Sequence, residues 1–339
     1  MAVKFVSVII PTYRRAAKLA AAVRALTKQT CTNFEVLITI DGPDDPSGTA
    51  GCVRDAATAA WAGQDPSRLR IFEGPKLGVC AARNRAIESA RGDLMVFFND
   101  DVLPRPECLA AHQHAHEEST GHGDIIVGDS PWVRREPDSL FARMLRDSSM
   151  VFFHHRMRGS SEPQKDWGFR HAWLLNLSAS AASVHAVGGL RVIQQTYGRD
   201  DDELAFRMTR ELGMRVLWRP DAIVDHDHPM TPSEYLARER ELGAGALTFA
   251  RGAPQCAQVM FGRDVLSKEH RDAAAEFVHA NAALASELTP WFLSLEHLHP
   301  EAMDVELAYQ THLPLKRWWW NRGYLSLECS GCGSMAMAV

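Results

Sequence analysis

The stretch Phe97-Phe98-Asn99-Asp100-Asp101-Val102-Leu103-Pro104 sets two adjacent carboxylates at the end of an apolar run. Met95, Val96, Phe97 and Phe98 read as a buried strand, and Pro104 forbids its continuation. The acids then sit at the carboxyl edge of a sheet, where open α/β folds bind their ligands. Two carboxylates side by side repel unless something positive holds them together. A hard, oxygen-seeking divalent cation such as Mg²⁺ or Mn²⁺ is the usual solution. The bland alternative is a solvated Asp-Asp turn after a strand.

Working outward, residues 6–10 are a β-branched run halted by Pro11, and residues 34–40 form a second strand ending in the turn Asp41-Gly42-Pro43-Asp44-Asp45. Residues 70–72 read as a third strand and 93–98 as the fourth. Between them, 16–26 is alanine-rich and helical, and 81–90 is a helix flanked by Gly78 and Gly92. Strands alternating with helices predict an α/β fold on a mostly parallel sheet. Farther on, 129–164 reads as long loops around a short helix at 140–145. A helix is expected at 199–212 and strand-like pieces at 215–218 and 222–224. From Ser233 the pattern is helical, broken between Gly252 and Pro254, which sets a boundary near residue 231. No internal repeat is visible.

The chain of 339 residues is 46% hydrophobic and 23% charged with a net charge of −5, the balance of an ordinary soluble globular protein rather than a nucleic-acid binder. Its first residues run directly into a strand without the apolar core of a signal peptide, and no window approaches ~18 uncharged apolar residues. Seven scattered cysteines suggest reduced thiols and a cytoplasmic setting. The Cys329-Ser330-Gly331-Cys332 pair has no partner cluster and reads as part of a frayed tail. Lys316-Arg317-Trp318-Trp319-Trp320 is basic and aromatic, a composition that serves either a docked helix or contact with the inner face of a membrane.

The segments Ile9-Ile10-Pro11-Thr12-Tyr13-Arg14-Arg15, Ile38-Thr39-Ile40-Asp41-Gly42, Gly78-Val79-Cys80-Ala81-Ala82-Arg83-Asn84 and Asn99-Asp100-Asp101 follow one another in a telling order. Together they resemble the family 2 glycosyltransferases of the GT-A fold, whose usual wording is "VSVIIPTYNR", "VDDGS", "GVSAARN" and "DxD". Gly198 to Arg207 looks like the family's "GxEDxELxxR" segment, and Val224-Asp225-His226-Asp227-His228 like its late "xVxHxH" segment. The resemblance spans residues 5 to 230.

That resemblance implies a GT-A catalytic domain over 1–230, with a nucleotide-binding half at 1–104 and an acceptor half at 105–230, followed by a helical extension over 231–339. Asp101 takes the family's metal-binding position and His226 completes the metal or pyrophosphate site, with His228 a near rival. Asp100 faces the ribose or shares the metal. Asn99 stands where the family has its first Asp, so an amide replaces a charge. Pro11, Thr12 and Tyr13 shape the base pocket. Asp41 accepts from a pyrimidine N–H, which favours uridine, and Arg83 and Asn84 open a helix near the phosphates. Asp201, paired with Asp200, is the general base; crowding of the acids 200–203 raises at least one of their pKa values. Asn176 lies beside the donor sugar or is a buried structural amide, and His154 and His155 are candidate acceptor contacts.

The implied activity is metal-dependent, inverting transfer from a nucleotide-sugar, UDP-linked by the Asp41 argument, to an acceptor hydroxyl in polysaccharide, glycolipid or other glycoconjugate synthesis. Two alternatives stand beside it: a non-catalytic nucleotide-sugar-binding scaffold, and a transferase acting on a membrane lipid.

Overall fold

The computed structural model describes residues 5–42, 49–119, 123–193 and 198–326. The turn residues 43–45 and the Cys329–Cys332 pair lie outside the described residues.

Eight strands form one sheet: β1 (Val6–Thr12), β2 (Phe34–Asp41), β3 (Leu69–Gly74), β4 (Leu94–Phe98), β5 (Val102–Pro104), β6 (Ile125–Asp129), β7 (Asn176–Ser180) and β8 (Val216–His226), in the order 3-2-1-4-7-6-8-5. The helices of this unit are α1 (Ala16–Leu26), α2 (Thr49–Ala60), α3 (Val79–Ser89) and α4 (Cys108–Glu117). Later in the chain come α5 (Leu140–Asp147), α6 (His154–Arg158), α7 (Ala181–Ala186) and α8 (Asp200–Glu211). β1, β2 and β4 are buried along their whole length, as near-continuous Val, Ile, Leu and Phe runs require when both faces of a parallel sheet are covered.

The expected parallel sheet is present in the half built by β1 to β4. Beyond it the pairing is mixed, because β7 runs antiparallel to both β4 and β6. β1 continues through Pro11 instead of stopping there. Beyond Ile9 it pairs with β2 alone, so the missing amide falls where the strand has one neighbour. The two strand-like pieces expected near 215–218 and 222–224 are one strand, β8, with a register shift opposite Gly128 and Asp129 that absorbs the residues around Pro220.

The strand order reverses between β1 and β4, since the chain moves outward through β2 and β3 and then returns to the other side of β1. All these strands run the same way, so the ends bearing Thr12, Asp41 and Asn99 to Asp101 share one edge. The antiparallel pairing of β5 with β8 sets Val102 opposite His226, which carries His226 to the residue after Asp101.

By contact pattern the chain falls into two compact units. One comprises Met1–Val133, Phe152–Val192 and Asp200–His228 and holds the sheet; the other comprises Arg134–Val151, Ile193–Arg199 and Pro229–Val339. The second is helical: α5 joins α9 (Pro232–Ala244), α10 (Ala246–Gly252), α11 (Pro254–Phe261), α12 (Lys268–Ala280), α13 (Ala282–Ser294) and α14 (Val305–Ser326). Thr231 caps α9 reciprocally with Glu234, and Gly243 and Gly323 let α9 and α14 approach at backbone distance. The Trp318 to Trp320 run is part of α14, where the Trp318 indole donates to the Val278 carbonyl 3.0 Å away. No helix among the described residues is long and apolar enough to cross a membrane.

Candidate active site

Asp101 is the centre of the cluster. It is buried, and its Oδ2 accepts from Arg15 Nη2 at 2.7 Å and lies 2.9 Å from His228 Nδ1. Its Oδ1 has no hydrogen-bond partner and lies 3.8 Å from His226 Nε2. One donor atom from each of Asp101, His226 and His228 falls within 4.8 Å of the others. Backbone bonds fix this meeting: Asp227 N–H donates to the Asp101 carbonyl at 2.8 Å, and His226 N–H donates to the Pro131 carbonyl at 2.8 Å. Trp132 covers His226, ring centroids 4.3 Å apart.

Burial opposes ionisation of Asp101, but bonding to His228 and the charge and hydrogen bond of Arg15 outweigh it and hold the carboxyl well below the usual carboxylate range. Asp100 behaves oppositely. Burial and the neighbouring Asp101 raise it to about 6, although Arg15 and the Thr12 hydroxyl pull it back. A proton shared by the pair therefore goes to Asp100 and leaves Asp101 ionised. Burial lowers His226 to about 4 against the pull of Asp101, which keeps its imidazole neutral and able to bind a metal.

An oxygen without a partner on a buried anion, and two imidazoles converging on it, fit a divalent cation that accepts mixed nitrogen and oxygen ligands. His228 lies in this cluster alongside His226. Asp100 is not in the converging set; its oxygens are taken by Thr12 Oγ1 and Arg15 Nη1, both at 2.8 Å.

The bond from Thr12 to Asp100 spans the two strand ends at the point where the strand order reverses. Tyr13 beside it is partly exposed, with Lys76 Nζ 4.1 Å from its ring centroid, and Arg14 carries a left-handed φ of 56°. Asp41 turns back to accept from the Leu77 and Gly78 amides, drawing residues 76–78 over the end of β2.

Arg83 and Asn84 are both engaged within the protein, with Arg83 Nε buried and without a partner. The Arg83 guanidinium, buried beneath α3, donates to Asn99 Oδ1 at 2.8 Å and to Asp200 Oδ2 at 2.7 Å. It thus joins the acidic turn to the start of α8. Asn84 bonds both the amide and the carbonyl of Leu190. Asp201, partly buried at the first turn of α8, is raised well above its ordinary value by burial and by the charges of Asp200 and Asp202. Glu203 and Arg207 form an ion pair that also holds the Val187 and Gly189 carbonyls, anchoring α8.

Asn176 is buried between strands, donating to the Asp129 and Ala222 carbonyls at 3.1 and 2.9 Å. His154 is also buried, its ring against those of Phe152 and Trp173. The rings left partly open beside His226 are Trp132 and Phe152.

Arg15, which bridges both acids, was not singled out from the sequence. It is the N-cap of α1, with Lys18 one turn on, and no acidic residue stands in that first turn. Two cations where a helix prefers anions point to acids brought in from elsewhere, here Asp100, Asp101 and Asp227.

A strand reversal with acids and imidazoles converging at its edge is the arrangement of the GT-A fold. Residues 7–172 match the family described as Glycosyl transferase family 2. It is 27% identical to the validoxylamine A glucosyltransferase of Streptomyces hygroscopicus subsp. jinggangensis (strain 5008), covering 61% of this chain and 51% of that one. It is 35% identical to the PGL/p-HBAD biosynthesis glycosyltransferase of Mycobacterium bovis (strain BCG / Pasteur 1173P2), covering 38% and 48%. The chain spans about half the length, or less, of these curated relatives. The fold matches that of the mannosyltransferase PcManGT from Pyrobaculum calidifontis in complex with GDP-Man and Mn²⁺, with a TM-score of 0.53 at 19% identity over 97% of this chain and 87% of that one.

Proposed function

We propose that the protein transfers a sugar from a nucleotide-sugar, UDP-linked by preference, to a hydroxyl acceptor with inversion, using a divalent cation. The observation that carries this is Asp101 Oδ1, a buried and ionised oxygen without a partner, facing His226 and flanked by His228. Asp101, His226 and His228 would hold the cation, which when bound supplies positive charge against the departing diphosphate. Thr12, Tyr13 and Asp41 form the base end of the site. The Asp41 carboxylate already takes two backbone amides, and its remaining lone pairs can accept from a uracil N–H.

Asp201 takes the proton from the acceptor hydroxyl as its oxygen attacks the anomeric carbon. The raised affinity of Asp201 for protons suits that task, since a base gains strength as its pKa nears the working pH. Arg83 acts through Asp200 and Asn99, tying the start of α8 to the acidic turn so that base and donor keep one geometry. The open faces of Trp132 and Phe152 beside His226 suit the apolar face of a sugar ring, which favours a saccharide acceptor over a peptide.

The test supplies UDP-sugars and GDP-sugars with Mn²⁺ and measures nucleoside diphosphate release stimulated by saccharide acceptors. Release from a UDP-sugar is expected. Release from GDP-sugars alone moves the donor assignment, as the GDP-Man held by PcManGT makes worth testing. Nucleotide binding without release from either supports the scaffold reading.

A further inference from the structure

We propose that Arg15 is a built-in counter-ion that keeps free divalent metal out of the Asp101 site until a nucleoside diphosphate arrives, so that metal and nucleotide bind together. The inference rests on the metal-site reading above. Arg15 gives one arm of its guanidinium to Asp100 Oδ1 at 2.8 Å and the other to Asp101 Oδ2 at 2.7 Å. The two acids are 5% and 4% exposed at their side chains, whereas that of Arg15 is 37% exposed. The anions are therefore fixed in the protein, and the cation that neutralises them approaches from the solvent side.

Lys18 adds a second positive charge nearby, bonded to Asp227 Oδ2 at 2.5 Å. A divalent ion arriving alone meets both cations and must compete with the guanidinium for the Asp101 carboxylate. A guanidinium cannot shed its charge by losing a proton. A diphosphate relieves the competition: its oxygens offer Arg15 the same bidentate geometry that the carboxylates now supply. Once Arg15 turns to the phosphate, Asp101 Oδ2 is released beside the already unpartnered Oδ1, and the carboxylate faces the metal without that competing cation. By thermodynamic reciprocity the metal must then tighten nucleotide binding by the factor through which nucleotide tightens metal.

The test needs no turnover. Free Mn²⁺ is counted by electron paramagnetic resonance in titrations of the full chain, alone and with saturating UDP or GDP, for the wild type, Arg15→Gln and Arg15→Lys. Circular dichroism melts establish that each variant is folded. The wild type is expected to bind Mn²⁺ weakly alone and about tenfold or more tightly with nucleotide, the scale on which a neighbouring charge shifts a carboxylate's affinity for a cation. Arg15→Gln should bind Mn²⁺ alone about tenfold more tightly and lose most of the nucleotide enhancement, while Arg15→Lys, which keeps the charge but not the bidentate fork, should bind Mn²⁺ alone as weakly as the wild type and show a smaller nucleotide enhancement. An Arg15→Gln protein with wild-type Mn²⁺ affinity and wild-type enhancement overturns the role of Arg15 and leaves the metal site standing. Failure of all three proteins to bind Mn²⁺, with or without nucleotide, overturns both.

Discussion

Two histidine clusters sit on the same sheet and differ in one respect. Around Asn176 every polar atom is used. The amide nitrogen donates to two carbonyls, so its oxygen must accept, and it does so from His112 Nε2 at 2.9 Å. Ser178 gives its hydroxyl hydrogen to His112 Nδ1 at 2.8 Å and lies 2.9 Å from His116 Nε2, which must then be the donor. Around Asp101 the accounting does not close: Asp101 Oδ1 and His226 Nδ1 are buried without a partner. Both clusters hold two histidines and an Asp or Asn side chain at a strand. The closed one cross-links strands, and the open one is where a ligand belongs.

Substitutions should separate the two regions. The largest effect is expected from Asp201→Asn, which removes the proposed base but not the proposed donor site. Transfer should fall by about 10²–10⁴-fold while UDP affinity stays within about twofold, measured by initial rates and calorimetry. Full transfer activity in this variant would remove Asp201 from its role. Next comes Arg83→Met, which cuts the link between Asn99 and Asp200; kcat should fall by about tenfold to a hundredfold with a smaller change in donor KM. A loss confined to KM would instead make Arg83 a phosphate contact.

In the closed cluster the effect should be on stability alone. Ser178→Ala breaks the hydroxyl link between the two histidines and should cost about 1–3 kcal/mol in urea unfolding, with Mn²⁺-dependent nucleotide affinity unchanged. Burial holds both His112 and His116 at about 4, below the ordinary histidine value, so the folded chain refuses protons that the unfolded chain accepts. Their stabilisation is therefore complete above about pH 6.5 and is lost as pH falls from there toward about 4. Urea midpoints should decline through that window. A flat profile would mean that these histidines are not held neutral.

The half built by β1 to β4 was legible in the sequence because its strands are apolar runs ending in polar turns, and parallel order alone brings Thr12, Asp41 and Asp101 to one edge. Helix α1 over Ala16–Leu26 and the start of α8 at Asp200 were readable for similar reasons. The rest depended on distant pairing. β7 is Asn-Leu-Ser-Ala-Ser, which has little strand propensity and is a strand because β4 and β6 flank it. His226 and His228 were visible as a motif, but their approach to Asp101 needs the β5–β8 register. Arg15 and the clamp at Arg83 could be placed only once acids 85 and 117 residues away had been brought beside them.

On the proposed reading, Asp101, His226 and His228 form a divalent-cation site that serves a nucleotide. Calorimetric titration of UDP into the wild type and Asp101→Ala, each in Mn²⁺ and in EDTA, tests it most directly. We expect tight binding by the wild type in Mn²⁺ that weakens about a hundredfold in EDTA, and weak binding by Asp101→Ala that is indifferent to the metal. Equal UDP affinity in Mn²⁺ and EDTA for the wild type would contradict the account.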